Sequence, residues 1–372
     1  MSKPVGGAVA PDSRAAVQCA LNPRSVAVLG ASDDLMKWGG SILALLRKFG
    51  FDGAIYPVNP RAESVQGLKA FATVQAIGQP VDVAVIALPQ ERTEAAFEDC
   101  AAAGVKVILM VTSQFAESGA EGAALQDKLL AIARRADMRI IGPNCMGYFH
   151  SHADMNLLNS QALMRNDRLI KGEVALISQS GALAGAMLAR AYDLGVGFSI
   201  CVSLGNQADL EVCDFLDYAI DDAHSKVIAL YVEGVKNGAR FIDLLRRARA
   251  ASKAVLIVKA GRTALGQKAV QSHTASLAGE FRAFESQVRH AGAVQRLHSR
   301  SPWASKQCTC ARGIATCTVS PPVIRVWPLM TISSWVAGSS PPAATRICSS
   351  TRSMPVIISV TGCSTWMRVF IS

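Results

Sequence analysis

At 372 residues, half of them apolar, the chain is long enough for two or three domains with sizeable cores, and no run approaches the roughly 18 apolar residues of a membrane span. Its formal charge of +10 invites a nucleic-acid reading. However, of 38 Lys and Arg, nine follow Glu285, the last acidic residue, which leaves 29 basic against 28 acidic residues before it. A nearly neutral body with a basic tail offers no basic face to DNA or RNA.

Residues 1–20 read as a disordered leader, because Met1–Arg14 lacks the apolar core of a secretory signal. Cys19, Cys100, Cys145, Cys201 and Cys213 are scattered singly, without metal spacing, as in a reduced, cytoplasmic protein. The first strand is Ser25–Gly30, followed by a loop and by Gly39–Gly40 opening a helical run Ser41–Phe49. Ile55–Val58, Val81–Leu88, Val105–Val111 and Met138–Ile141 are further apolar strands, separated by helix-compatible segments such as Glu91–Ala103. Continuous apolar strands alternating with helices predict a parallel sheet covered on both faces, a Rossmann-type α/β domain over residues 21–148. In such folds ligands sit at the carboxyl ends of the strands.

The nicotinamide fingerprint is missing: there is no G-x-G-x-x-G after the first strand and no acid at the end of the second. Instead the second strand ends in Val58–Asn59–Pro60–Arg61. An arginine there suits the phosphorylated ribose of NADP or coenzyme A, or is a solvated surface residue.

The segment Tyr148–Arg168 reads as a loop, with His150 and His152 facing solvent. A second α/β cycle, flavodoxin-like, then runs over residues 165–295. Its strands are Glu173–Ile177, Phe198–Val202, Val227–Val232 and Ala254–Lys259, and its helices Ser180–Leu194, Leu210–Ala219 and Ala239–Ala250. The stretch Ile177–Ser178–Gln179–Ser180–Gly181 runs from a buried strand into a helix whose first-turn N–H groups and dipole favour an anion. A plain Ser-Gly turn is the alternative. Glu233 ends its strand just before Gly234, and His273 lies in the loop after the last strand.

From Pro23 to Ala293 the chain resembles the N-terminal half of the NDP-forming acyl-CoA synthetases, that is, ADP-forming acetate–CoA ligases and the α-subunit of succinyl-CoA synthetase. Six motifs carry the resemblance in order: Gly30–Ala31–Ser32 with Gly39–Gly40; Val58–Asn59–Pro60; Ile141–Gly142–Pro143–Asn144–Cys145–Met146–Gly147; Ser178–Gln179–Ser180–Gly181; Val202–Ser203–Leu204–Gly205–Asn206; and Ser272–His273–Thr274–Ala275. The resemblance implies coenzyme A bound by the first domain, with Gly30, Ser32, Gly39, Asn59, Pro60, Arg61 and Asn144 as candidate contacts. It also implies that His273 is a phosphorylated histidine oriented by Glu233, with Ser178, Ser180 and Gly181 as the phosphate cradle, and no metal site. A carboxylate that holds one ring proton leaves the other imidazole nitrogen free as a nucleophile.

The implied reaction joins a small carboxylic acid to CoA at the expense of ATP, through acyl phosphate and phosphohistidine. Nothing in the chain resembles the ATP-grasp module that handles ATP or ADP with Mg in the family, and no P-loop replaces it. The reading is therefore a CoA-binding, phosphohistidine-carrying portion, truncated or completed by a β-type ATP-grasp subunit, without nucleic-acid or membrane partners. A non-catalytic CoA-binding module and an NADP-dependent oxidoreductase are the alternatives, and neither acyl group nor oligomeric state is legible. Beyond about Arg296 the character changes: residues 301–372 contain no acid and hold four of five Trp and five of ten Cys. They read as an out-of-frame or disordered tail with few contacts to the rest, in which Cys308, Cys310, Cys317 and His298 match no zinc pattern.

Overall fold

The computed structural model describes residues 13–260, Val288, Ala291 and the strand backbones at 295–296, 314–318, 356–357 and 368–369. The first unit contains β1 (Ser25–Leu29), β2 (Ala54–Val58), a small hairpin β3 (Ser64–Val65) and β4 (Leu68–Lys69), β5 (Val83–Ile86), β6 (Val107–Met110) and β7 (Arg139–Ile141). Helices α2 (Trp38–Lys48), α3 (Thr93–Ala102) and α4 (Ala120–Arg135) connect them. The main sheet is all parallel in the order β2-β1-β5-β6-β7. Its β1, β5, β6 and β7 are buried throughout, the consequence of Val/Ile-rich strands covered on both faces.

Beyond β2 a single parallel bridge pairs Val58 with Phe71. Counting Phe71 as a vestigial third strand, the order is the 3-2-1-4-5-6 of the dinucleotide-binding Rossmann fold. The strand order reverses between β1 and β5, which places the ligand crevice at the ends of those strands.

The second unit contains β8 (Tyr148–His150), β9 (Met155–Asn156), β10 (Lys171–Ser178), β11 (Phe198–Ser203), β12 (Val227–Val232), β13 (Ala254–Lys259), β14 (Gln295–Arg296) and β15 (Ile314–Thr318). Its helices are α5 (Gln161–Arg165), α6 (Gly181–Asp193), α7 (Val212–Asp221) and α8 (Gly238–Ala250). The sheet order is β14-β15-β13-β12-β10-β11-β8-β9. The strands β11, β10, β12, β13 and β15 are parallel in the flavodoxin-like 2-1-3-4-5 order, with the switch point between β10 and β12.

Three expectations need correction. Part of the leader is helical: α1 (Ser13–Leu21) buries Val17, Ala20 and Leu21 against the core, so an apolar stripe decides over its loose composition. The 148–168 segment is not a loop. β8 pairs antiparallel with β11, placing His150 opposite Ile200 and adding β8 to the second sheet. His150 is buried, with Nδ1 against Leu21 O at 3.2 Å and Asn22 Oδ1 at 3.1 Å, and burial pushes its pKa down. His152 is half-buried and stacks on His224 with ring centroids 3.9 Å apart. In the tail, the backbone of β15 pairs with β13, registering Val255 with Ile314 through Lys259 with Thr318, and most of the other residues of 301–372 lie outside the described residues. The side chains of Cys308, Cys310, Cys317 and His298 lie outside the described residues.

The two units share one apolar cluster that runs from Val26, Val85 and Leu109 to Ile177, Val202 and Leu230. Their seam is the segment after β11. Asn206, Ala208 and Leu210 donate backbone N–H bonds to Pro143, Gly142 and Ile140 O at 2.9, 2.9 and 3.1 Å, covering the free edge of β7. Asp209 completes it, its carboxylate taking Arg139 Nε at 2.7 Å, Arg139 Nη2 at 3.0 Å and Ile140 N at 2.9 Å. Both partners of this bidentate pair are largely buried, with side chains 10% and 20% exposed. Asp209→Ala should therefore lower stability by about 3–5 kcal/mol, since it removes one side of a largely buried ion pair. Urea unfolding checks this, and a loss below about 1 kcal/mol would show that the seam does not depend on the pair.

Candidate functional site

Two candidate sites lie at the two switch points. At the first, Gly30 follows β1 with φ +85°, and a Cβ there would stand 2.4 Å from Ala87 O across the crevice. Gly39 and Gly40 open α2 so close to the preceding loop that a Cβ would meet Gly30 O and Asp34 O, each at 2.1 Å. Three glycines thus let helix and loop backbones touch, which is the mechanical part of a phosphate-binding turn. No side chain caps α2, so its first-turn N–H groups are not claimed by the residue before it.

Asn59 joins the end of β2 to this loop, donating Nδ2–H to Ala31 O at 3.0 Å while its Oδ1 accepts Arg61 N at 2.9 Å. Pro60 and Arg61 are exposed beside it, and Ser32 is half-buried with its Oγ accepting Asp34 N at 3.1 Å. Leu35 and Met36 on the same loop and Trp38 at the start of α2 are exposed. Asn144 stands apart from this group. Its φ is +58°, its N–H bonds Thr112 O at 2.9 Å and its amide meets Asn206 Oδ1 at 3.4 Å, at the seam between the units. Cys145, in the same motif, is buried with its thiol pushed up to about 12, a packing residue rather than a nucleophile. A further residue, Gln66 on the β3–β4 hairpin, ties the loop together by donating to Ser32 O at 2.9 Å and Gly40 O at 2.8 Å.

At the second switch point, β10 ends at Ser178 and α6 begins at Gly181. Ser178 is fully buried, and its hydroxyl donates to Ser180 O at 2.7 Å, so it shapes the turn instead of lining an opening. Ser180 caps the helix, its Oγ accepting Leu183 N at 3.3 Å. The Ser180 side chain caps Leu183 N and not the N–H groups of Gly181 and Ala182, and both of those residues are accessible. Gly181 is required by crowding: a Cβ would lie 2.7 Å from Met146 Cγ.

Glu233, just beyond β12, is only 3% exposed, which rules out a solvated strand-end acid. Gln179 is equally buried and bridges the switch point, its Oε1 accepting Glu233 N at 2.6 Å and Gly234 N at 2.9 Å. From the other side Lys259, at the end of β13, donates to Glu233 O at 2.7 Å. Burial lowers the Lys259 pKa to about 8, against the opposing pull of Glu233. Gln66, Gln179 and Lys259 carry no periodicity that marks them; only the position of Gln179 within a quoted motif pointed to it. His273 lies outside the described residues. Among the described residues no cluster of His, Cys, Asp and Glu could hold a metal, and no helix is long and apolar enough to cross a membrane.

The cradle glycines make a direct prediction. Gly30→Ala should cost about 1–3 kcal/mol in urea unfolding because both its φ and its space are forbidden to a Cβ. Gly238→Ala, where nothing lies within 4 Å, should be neutral or stabilising. Equal effects at the two sites would refute the crowding argument.

Comparison with known proteins fits this geometry. Residues 24–151 match the family model of the CoA binding domain, and residues 171–300 that of the succinyl-CoA ligase like flavodoxin domain. The chain is 39% identical over 273 residues to the acetate–CoA ligase [ADP-forming] II subunit alpha of Pyrococcus furiosus, covering 73% of this chain and 58% of that protein. It is 38% identical over 273 residues to the acetate–CoA ligase [ADP-forming] of Methanocaldococcus jannaschii, covering 73% and 37%. Among solved structures, the dinucleotide-forming acetyl-coenzyme A synthetase 1 of Ca. Korarchaeum cryptofilum, in complex with phosphate and ADP, superposes with a TM-score of 0.69 at 38% identity, covering 74% and 58%. The chain thus spans about three-fifths or less of the length of these relatives. With the two domains matched in order and their switch-point turns in place, the chain belongs to the NDP-forming acyl-CoA synthetase family, of which it carries the CoA-binding and succinyl-CoA-ligase-like domains.

Proposed function

We propose that this chain binds coenzyme A in its first unit and passes a phosphoryl group between an acyl group and His273 in its second, leaving the nucleotide step to an ATP-grasp partner. The observation that carries the reading is Glu233, a carboxylate buried at a switch point one bridging side chain away from an anion-competent helix start. A carboxylate at this place can hold an imidazole N–H and so fix the tautomer of a histidine. The Gly30, Gly39 and Gly40 cradle fits a CoA phosphate, because backbone approach there is closer than any side chain permits.

In this reading acyl-CoA and phosphate first exchange to acyl phosphate and free thiol. One ring nitrogen of His273 then attacks phosphorus, the bond to the acyl oxygen breaks, and the carboxylic acid leaves as its anion. Glu233 holds the proton on the other ring nitrogen and stabilises the charge that develops on the imidazole. The Gly181 and Ala182 N–H groups neutralise the transferred phosphoryl group. ATP, ADP and Mg enter only through the partner, and the acyl group is a small carboxylic acid. Five free cysteines among the described residues suit a cytoplasmic setting for this chemistry.

Two measurements test it. Coenzyme A should raise the melting temperature, while NAD and NADPH should not; equal stabilisation by all three would remove the CoA assignment. Phosphorus-32 acetyl phosphate, or acetyl-CoA with labelled phosphate, should give an acid-labile, base-stable label that His273→Ala abolishes. Glu233→Gln should slow labelling by about 10²-fold, the upper range for a positioned acid–base group being nearer 10⁴. Labelled ATP should leave the chain unlabelled unless an ATP-grasp subunit is added. Labelling of the His273→Ala protein, or labelling by ATP without a partner, would overturn the mechanism.

A further inference from the structure

The Glu233–Gly234 stretch is held in an unusual way. At the switch point β10 and β12 part, so the ladder that pairs Ser178 with Tyr231 has no further register to offer the next residues of β12. Two buried peptide units would then be unsatisfied, a cost that native folds do not tolerate. Side chains take the place of the missing strand. Gln179 Oε1 accepts Glu233 N and Gly234 N, at 2.6 and 2.9 Å, while its Nε2 donates to Gly234 O at 2.6 Å. Lys259 Nζ donates to Glu233 O and to Ala260 O, each at 2.7 Å. Every backbone polar group of Glu233 and Gly234 is thereby bonded by one of two side chains, both 3% exposed.

We infer that Gln179 and Lys259 are positioning residues that clamp the Glu233 backbone from the two neighbouring strands and so fix the direction in which its carboxylate is presented. The inference rests on the phosphohistidine reading above. A primary amide suits the task because it has a peptide group's acceptor and donor on one rigid plane, so it can bond adjacent N–H and C=O groups as a strand would. Lysine suits the other side because a single ammonium reaches two carbonyls, those of Glu233 and Ala260, and draws the ends of β12 and β13 together. With the Cα of Glu233 fixed on both sides, only its own side-chain torsions are left to set the carboxylate. A shift of about 1 Å in such a group can cost 10²-fold in rate.

A clamp acting through Glu233 differs from a merely structural bond in its coupling. The experiment uses the full chain and initial rates of labelling by phosphorus-32 acetyl phosphate, with folding followed by circular dichroism and urea unfolding. Gln179→Met and Lys259→Met should each slow labelling by about 10- to 100-fold, with half-saturating acetyl phosphate unchanged within about twofold. When either is combined with Glu233→Gln, the double variant should be no more than about twofold slower than Glu233→Gln alone, because the group being positioned is already disabled. Should Gln179→Met fail to fold, Gln179→Glu keeps the volume and the acceptor but loses the donor to Gly234 O, and the same slowing and the same coupling are expected. Wild-type rates in the single variants, or losses that multiply fully in the Glu233→Gln background, would overturn the clamp. If Glu233→Gln itself labels at the wild-type rate, the underlying carboxylate reading falls, an outcome distinct from failure of the clamp alone.

Discussion

The seam along β7 is the constraint on which the arrangement of both units depends. A parallel sheet leaves an edge of unpaired N–H and C=O groups, and here the segment 206–210 of the second unit covers it with three backbone hydrogen bonds and the Asp209 carboxylate. Gly205, with φ +57°, makes the approach possible, since a Cβ there would stand 2.1 Å from Pro143 O. The turn that leaves β11 is thus locked onto the turn that leaves β7. Carboxyl ends of strands from two separate sheets are joined in this way, and carboxyl ends are where α/β folds place ligands.

That junction gives two of the sequence motifs a structural role. Ile141–Gly147 and Val202–Asn206 supply neither the cradle at Gly30 nor the helix start at Ser180. Instead they interlock, and Met146, against which Gly181 packs, carries the contact into the second site. Ser203 accepts the Met146 N–H at 3.0 Å and completes the link. Gly205 marks a place where backbone approaches too closely for a Cβ, and Gly181 one where the Met146 side chain fills the space.

The second switch point shows how buried polar groups are arranged for a task. Ser178, Gln179, Glu233 and Lys259 are all buried at strand ends, where apolar side chains would pack at less cost. Ser178, Gln179 and Lys259 donate to backbone carbonyls, so they help to determine where the chain goes. Glu233 is the one carboxylate among them, and it is 3% exposed.

The order and spacing of apolar strands, glycine turns and helical runs determined the two α/β units by themselves, because a strand covered on both faces is apolar throughout and the crossover between parallel strands is usually a helix. The glycines at 30, 39 and 40 and the Ser180 cap were legible for the same reason: local backbone geometry restricts residue type. What only the tertiary structure decided depends on contacts between distant segments. The burial of His150 follows from antiparallel pairing with β11, 50 residues on, and three residues are too few to show a period. The helix at 13–21 is set by packing on α7, and β15 by pairing with β13. Gln66, Gln179 and Lys259 look like ordinary polar residues in the sequence. Their roles exist only because folding ends two strands side by side, or brings a hairpin beneath a loop, and leaves backbone groups that only a side chain can reach.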